Sequence, residues 1–355
     1  MNGDQLDRRG ARWGKRVMML AAALVASAVP PARLAAQDEA GFQSYLLQLR
    51  ARAVAAGVRP ATADAGIAGL TLNPRVVELD RDQPGGSDPS TATPPFAPYY
   101  RAHVDAARID RGRVVYQAQR GRLERIERDT GVPESVMVAI WGNETNYGSY
   151  TGSFDLLRSL ASLAYDGRRR ELFAGEFVAA LGMLDRGVPR ERLKGSWAGA
   201  TGNPQFLPSA YLRLARDADG DGRADIWSSA ADTLASIGNY FVDAGWRRGQ
   251  PWGVAVSVPA GFDRSGTRNR LVSPRCPRVF ARASGWRTMA EWRSLGLVPV
   301  DRTWPDDGVL ATLLEPDGPG QGAYLLTGNY RVILDYNCSN FYALAVGLLA
   351  DAVER

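Results

Sequence analysis

From Glu39 to about Gly245 the apolar residues recur mostly at helical spacing, and beyond Trp246 the spacing changes to alternation. "EAGFQSYLLQLRARAVAAG", Glu39 to Gly57, has helix-period apolar positions and a terminal glycine. A second short helical stretch follows, then "RVVELDRDQP". Between Gln83 and Pro98 the run "QPGGSDPSTATPPFAP" is dense in Pro, Gly, Ser and Thr, which predicts an exposed linker or loop. "VVYQAQRGRLERIERDTGVP" then reads as an amphipathic helix stopped by Gly131, with Pro133 opening the next. "ASLAYDGRRRELFAGEFVAALGML" and "AADTLASIGNYFVDAGW" are the clearest helices before Gly245. Next, "WGVAVSVP" sets Val254, Val256 and Val258 on one face, and "AYLLTGNYRVILDYN", Ala323 to Asn337, is strand-like. "SNFYALAVGLLADAVER" closes the chain as a helix. The expected class is α+β, mainly α, with a helical region 37–245, a β-containing region 246–335 and a final helix 336–355.

The first 36 residues stand apart from this pattern. A basic region, Arg8 to Arg16, precedes an apolar stretch from Val17 to Val29, which is the layout of an export signal. Pro30 and Pro31 close it, and "RLAAQDE" offers a cleavage point near Ala36. No cysteine ends the apolar run, so no lipid anchor is expected. This segment sets six basic residues against Asp4 and Asp7, which is +4 of the formal +5. The mature chain is therefore near neutral, and an electrostatic argument for nucleic-acid binding fails. At 355 residues, 45% hydrophobic and 23% charged, the chain has a globular composition with enough length for one large or two unequal domains.

Few residues are available for chemistry. His103 is the sole histidine, so a Ser-His-Asp mechanism would have to use it. Cys276 and Cys338 are the only cysteines, and in an exported chain such a pair favours a disulfide over a metal site or a nucleophile. In "AIWGNETNYGSYTG", Ala139 to Gly152, one carboxylate interrupts an apolar helical run. Glu144 shares a helix face with Met137, Ile140 and Trp141. Two readings stay open there: a helix-end glutamate turned to solvent, or a desolvated carboxyl group held protonated, as a general acid requires.

"KGSWAGATGNPQFLPSAY", Lys194 to Tyr211, combines small residues with neutral polar groups on Ser196, Asn203 and Gln205 and aromatic faces on Trp197, Phe206 and Tyr211. Such a loop suits a sugar, and a glycine-rich helix connection is the alternative. "DADGDGRADIW" spaces Asp217, Asp219, Asp221 and the Arg223 carbonyl as in a calcium loop, with Asp225 at the ninth position. Ser228 stands where the loop motif requires a bidentate Glu, and Asp232 is the next acid able to close the shell. A solvated aspartate turn is the competing reading.

Taken in order, "IWGNETNYG", "RRRELFAGEF", "LKGSWAGATGNPQFLPSAY", "DADGDGRADIW", "NYFVDAGW" and the final "YNCSNFYALAV" resemble the B-type lytic murein transglycosylases, exported bacterial enzymes that cleave peptidoglycan. The resemblance covers nearly all of the mature chain. It implies a lysozyme-like helical catalytic domain with a small β domain, periplasmic localisation, peptidoglycan glycan strands as partner, and a monomer. It further implies Glu144 as the sole catalytic acid and base, no catalytic cofactor, and a structural Ca2+ held by Asp217, Asp219, Asp221, the Arg223 carbonyl and Asp232. Ser196, Gln205 and Phe206 occupy family positions that contact glycan; Tyr240, Tyr336, Asn337 and Tyr342 match residues lining the cleft. Three positions depart from the family pattern: Asn143 replaces an apolar residue, Leu172 stands where some members carry an aromatic, and Pro204 precedes Gln205 where glycine is common. Two alternatives remain: a hydrolytic muramidase on the same scaffold, and a catalytically silent glycan-binding protein. A muramidase of the usual kind needs a second carboxylate; Asp155, the nearest later acid, sits where capping a helix is the expected role.

Overall fold

Amphipathic spacing along the first helix decides where the chain begins to pack. In the computed structural model, which describes residues 31–83, 94–300 and 303–355, that helix runs Pro31–Ala55. It buries Phe42, Leu46, Leu49 and Ala53, spaced as one helical face, in a core shared with the helices Leu156–Asp166 and Arg170–Asp185. Short helices Pro60–Ile67 and Pro74–Arg81 complete this layer. The expected export segment up to Val29 lies outside the described residues, and the first helix runs through the expected cleavage point at Ala36. Among the described residues no single helix is long and apolar enough to cross a membrane.

A second helical layer surrounds the segment that carries Glu144. The helix Ala106–Thr130 ends at Gly131, which takes the left-handed conformation with φ 71°, and Pro133 precedes the next helix, Glu134–Thr145. Every residue from Glu134 to Gly142 is buried, because the helices Ala106–Thr130, Ala230–Asp243 and Asn340–Glu354 pack around it. A helix so enclosed has no polar face to spare, which accounts for the run of apolar and small residues from Val136 to Gly142.

The sheet forms beyond Trp246 as the alternation requires. Seven strands occur among the described residues: β1 (Phe154–Asp155), β2 (Lys194–Gly195), β3 (Gly253–Ser257), β4 (Arg287–Thr288), β5 (Val298–Pro299), β6 (Leu310–Leu314) and β7 (Ala323–Leu326). The last five make one antiparallel sheet in the order β4-β6-β7-β3-β5, with Val254 paired to Leu325 and Val256 to Ala323. Val254, Val256, Leu313 and Leu325 bury one face against Met289 and Trp292. β1 and β2 pair apart from it, within the helical region. The fold is mainly α with a small antiparallel sheet before the C-terminal helix, as the sequence pattern implies.

Two local expectations fail. The strand-like run Ala323–Asn337 is a strand only to Leu326. Thr327 then accepts a hydrogen bond from the Asn329 amide and caps the helix Gly328–Tyr336. Tyr330, Ile333 and Leu334 are buried at helical spacing, so packing overrides the β preference of the residues themselves. The linker expected through Pro98 also ends early. Residues 84–93 lie outside the described residues, but the helix Phe96–His103 begins within the run, and buried Phe96 packs on Phe341 with ring centroids 5.3 Å apart.

Cys276 and Cys338 form a disulfide with Cα atoms 5.5 Å apart. It ties the loop before Pro277 to the start of the C-terminal helix. Asp155 caps the helix Leu156–Asp166 by accepting from the Arg158 amide and also pairs with Arg190 at 2.6 Å, the structural role its position suggested.

Candidate active site

The Glu144 helix is stopped by backbone geometry. Asn146, Tyr147 and Gly148 all have positive φ, 50°, 59° and 83°, which reverses the chain from the second residue after the acid. Tyr147 folds beneath the helix and donates from its hydroxyl to the Arg108 carbonyl at 3.1 Å. A Cβ on Gly142 would lie 2.6 Å from the Tyr147 ring, so only glycine allows this fold-back. Thr145 donates to the Asn203 carbonyl at 3.1 Å, joining the helix end to the loop 194–206.

Glu144 keeps a partial opening to solvent while dense protein surrounds its carboxyl group. Burial raises its pKa from an ordinary 4.5 to about 7, and a hydrogen bond donated by the Tyr342 hydroxyl to Oε1, at 2.5 Å, acts in the opposite direction. No second carboxylate contributes to this shift among the described residues. Tyr342, 5% exposed, comes from the first turn of the C-terminal helix, where Ser339 caps the helix by accepting from the Tyr342 amide. Its own phenol is raised by burial first and then by the Glu144 charge, which keeps it a hydrogen-bond donor.

Two further phenols sense the same carboxylate. Tyr336 is raised by burial and by Glu144, and it donates to the Pro204 carbonyl at 2.5 Å. Tyr99, from the helix Phe96–His103, is raised by burial and then by Glu144. Sequence reasoning missed Tyr99, because it sits just past a run read as linker. The stacking of Tyr99 on His103, with ring centroids 3.8 Å apart, gives the lone histidine a packing role.

The remaining residues expected to meet glycan differ in what they present. Tyr240 and Tyr336 pack together with ring centroids 4.6 Å apart, and the Tyr240 hydroxyl donates to the Asp335 carbonyl at 2.9 Å. Phe206 lies behind them, 2% exposed, with its backbone paired to Thr201, so its ring supports the two tyrosines and presents no open face. Gln205 takes the left-handed conformation with φ 51°, which glycine would hold without strain, and donates to the carbonyls of Thr151 and Gly202 at 3.1 and 2.8 Å. Its amide is thus aimed back at the segment following Glu144, Pro204 notwithstanding.

Ser196 closes its own turn. Its amide donates to the Ala200 carbonyl at 2.8 Å, and its hydroxyl accepts from the Ala200 amide at 3.0 Å. Asn337 is exposed beside Tyr336 and ends the helix Gly328–Tyr336. Leu172 is exposed on the helix Arg170–Asp185. Asn143, unexpected in an apolar run, donates to the Ala139 carbonyl at 3.1 Å, while its Oδ1 is buried without a partner among the described residues.

The aspartate loop is drawn together as its spacing implies. Oxygens of Asp217, Asp219 and Asp221 lie within 4.8 Å of one another. Asp217 accepts from the amides of Gly220 and Gly222 at 2.7 and 2.8 Å, and Asp221 from that of Arg223 at 2.8 Å. Asp232 is not one of this group of three. It is fully buried beneath the loop, accepts from the amides of Ala218 and Asp225 at 2.8 and 2.7 Å, and has its pKa raised by burial. Three exposed carboxylates this close repel one another, and their all-oxygen donor set fits a hard divalent cation.

The profile of the Transglycosylase SLT domain family matches residues 41–351. The chain is 32% identical over 278 residues to membrane-bound lytic murein transglycosylase B of Escherichia coli (strain K12), spanning 75% of this chain and 71% of that protein. Among solved structures, SltB3 from Pseudomonas aeruginosa in complex with NAG-anhNAM-pentapeptide superposes with a TM-score of 0.78 at 39% identity, covering 88% of this chain and 79% of that one. The Escherichia coli lytic transglycosylase Slt35 in complex with calcium superposes with a TM-score of 0.69 at 26% identity, covering 89% and 93%. With a family profile spanning the helical layers, the sheet and the C-terminal helix, the chain belongs to the transglycosylase SLT family.

Proposed function

We propose that this protein is a peptidoglycan lytic transglycosylase in which Glu144 serves first as acid and then as base. The observation that carries the reading is the Glu144 carboxyl group itself, held by Tyr342, with its pKa lifted to about 7 by burial and no second acid involved among the described residues. Near neutrality such a group is populated in both protonation states, which suits a residue that must give a proton and then take one.

In the first half-reaction Glu144 gives its proton to the glycosidic oxygen between N-acetylmuramic acid and N-acetylglucosamine. The C1–O bond breaks, and the neighbouring acetamido group offsets the positive charge developing at C1. In the second, the Glu144 carboxylate takes the proton of the muramyl C6 hydroxyl as that oxygen closes on C1. A 1,6-anhydromuramyl end forms, no water is consumed, and the acid is restored. The Tyr342 hydrogen bond favours the ionised form that exists between the two steps. An inverting or retaining hydrolase would instead need a second carboxylate.

Tyr99, Tyr240 and Tyr336 line the cleft, with Ser196, Gln205 and Asn337 as its neutral polar groups and Phe206 as support. Asp217, Asp219, Asp221 and the Arg223 carbonyl would hold a structural Ca2+, while Asp232 fastens the loop from below. The chain acts as an exported periplasmic monomer. Digestion of purified peptidoglycan tests the reading: the expected muropeptides carry anhydro ends, lighter by one water than hydrated ones. Reducing hydrated ends would identify a hydrolytic muramidase. Glu144→Gln is expected to keep glycan binding and to lose turnover by about 10²–10⁴-fold, and an active variant would remove Glu144 from the mechanism.

A further inference from the structure

Tyr211, whose ring the sequence offers as a sugar face, is used away from the Glu144 cleft. It meets Trp227 with ring centroids 5.3 Å apart in a cavity of about 220 Å³ walled by Arg186, Val188, Arg192 and Arg223. None of these residues belongs to the group around Glu144. The polar ends of both rings are engaged: the Tyr211 hydroxyl donates to the Ala224 carbonyl at 3.1 Å and the Trp227 indole to Thr201 Oγ1 at 3.0 Å. Both rings are half-buried and line the cavity.

Three arginines and one acid line the cavity. Arg186 commits one N–H to the Leu212 carbonyl at 3.2 Å, and Arg192 one to Ser228 Oγ at 3.1 Å while standing 3.8 Å from Asp225. The Arg223 side chain makes no hydrogen bond among the described residues. Asp225, the one acid in the lining, is already met by the amides of Trp227 and Ser228 and by the Ser228 hydroxyl. Three guanidinium groups therefore retain N–H donors at the wall of a cavity that two aromatic rings also line, and the acids of the adjoining aspartate loop are the candidate ligands of a cation.

We propose that this cavity binds a single hexose ring bearing a carboxylate, with an apolar face of the ring on Tyr211 and Trp227 and the carboxylate on Arg186, Arg192 and Arg223. The volume admits about one such ring. Aromatic faces select the C–H side of a pyranose, and guanidinium groups select a planar anion over a neutral hydroxyl. Two sources share this chemistry: a muramic acid whose lactyl carboxylate is free of its stem peptide, and a uronic acid of another polysaccharide. The Trp227 indole bonded to Thr201 joins the cavity to the loop 194–206, so a strand engaged there is tethered beside the cleft. The proposal does not depend on the chemistry of Glu144.

The test is an NMR titration of the full chain in calcium-containing buffer, reading the Trp227 indole N–H, assigned by Trp227→Phe. N-acetylmuramic acid, glucuronic acid, N-acetylglucosamine and lactate are compared on the natural chain and on Arg186→Gln/Arg192→Gln. The acidic sugars are expected to shift the signal, with affinity at least about tenfold weaker in the double variant, whereas N-acetylglucosamine and lactate leave it in place. A response to N-acetylmuramic acid alone assigns the site to cell-wall glycan, and a response to both acids assigns it to acidic sugars generally. Should the double variant unfold, the titration of the natural chain decides alone. No shift with either acid, equal affinity in the double variant, or an equal shift with lactate would overturn the proposal. Peptidoglycan digestion by the natural chain is scored separately, so failure of this site and failure of the transglycosylase reading are distinguishable.

Discussion

Replacing Glu144 with glutamine should make the protein more stable above neutral pH while lowering turnover by about 10²–10⁴-fold. The carboxyl group goes from an ordinary pKa of 4.5 to about 7 on folding. Between those values the folded chain binds more protons than the unfolded one, so its stability falls as pH rises. At about 1.36 kcal/mol per pH unit, ionising the folded group costs roughly 3 kcal/mol at pH 8, and nothing below pH 4.5, where both states are protonated. Glutamine keeps the shape of the neutral acid and an oxygen to accept from Tyr342, so it should recover most of that cost. For a chain of this length roughly 1–2 °C of melting temperature corresponds to each kcal/mol, which gives a gain of about 3–5 °C at pH 8 that vanishes near pH 4. Scanning calorimetry of both proteins across that range, in one buffer system, makes the measurement. A pH-independent difference would mean that Glu144 is not desolvated, and the argument for a neutral-pH acid would fail with it.

Three further outcomes follow from the same geometry. Tyr342→Phe removes the hydrogen bond that lowers the Glu144 pKa; the alkaline limb of the pH–rate profile should therefore move upward and kcat should drop, and an unmoved limb would exclude Tyr342 as the group that tunes the acid. Chelation should lower the melting temperature through the aspartate loop, and Asp219→Asn should remove the sensitivity to chelator; an unchanged melting point together with no bound metal on elemental analysis would refute the cation site. Intact-mass measurement should find the Cys276–Cys338 bridge, whose 62-residue separation corresponds to about 4 kcal/mol of chain entropy; reduction that leaves the melting temperature unchanged would show that the bridge does not hold the start of the Tyr342 helix.

Local spacing carried much of the fold. Gly131 and Pro133 bound their helices because left-handed and fixed-φ residues act within one turn. Val254 and Val256 share a buried face because a strand repeats every second residue. The aspartate triplet was legible for the same reason: its ligands lie within five residues, and their mutual repulsion is apparent without any fold. The sequence also placed Glu144 on the face of Met137, Ile140 and Trp141, yet it left the acid undecided between solvent and core.

Tertiary structure decided what periodicity cannot reach. The environment of Glu144 is set by burial in the folded chain and by a hydrogen bond from Tyr342, 198 residues later, and the carboxylate acts in turn on Tyr99, just past the run read as linker. The run from Gly328 to Tyr336 is a helix despite its β-branched and aromatic residues, since burial of Tyr330, Ile333 and Leu334 on one helical face outweighs a local preference. Phe206 became support and Tyr211 part of the lining of a separate cavity, although the two rings lie five residues apart in one stretch that offers both as sugar faces. A sequence fixes which side chains are chemically able to act. Their protonation states and free faces depend on groups brought near by folding, because desolvation and packing are properties of the neighbourhood and not of the residue.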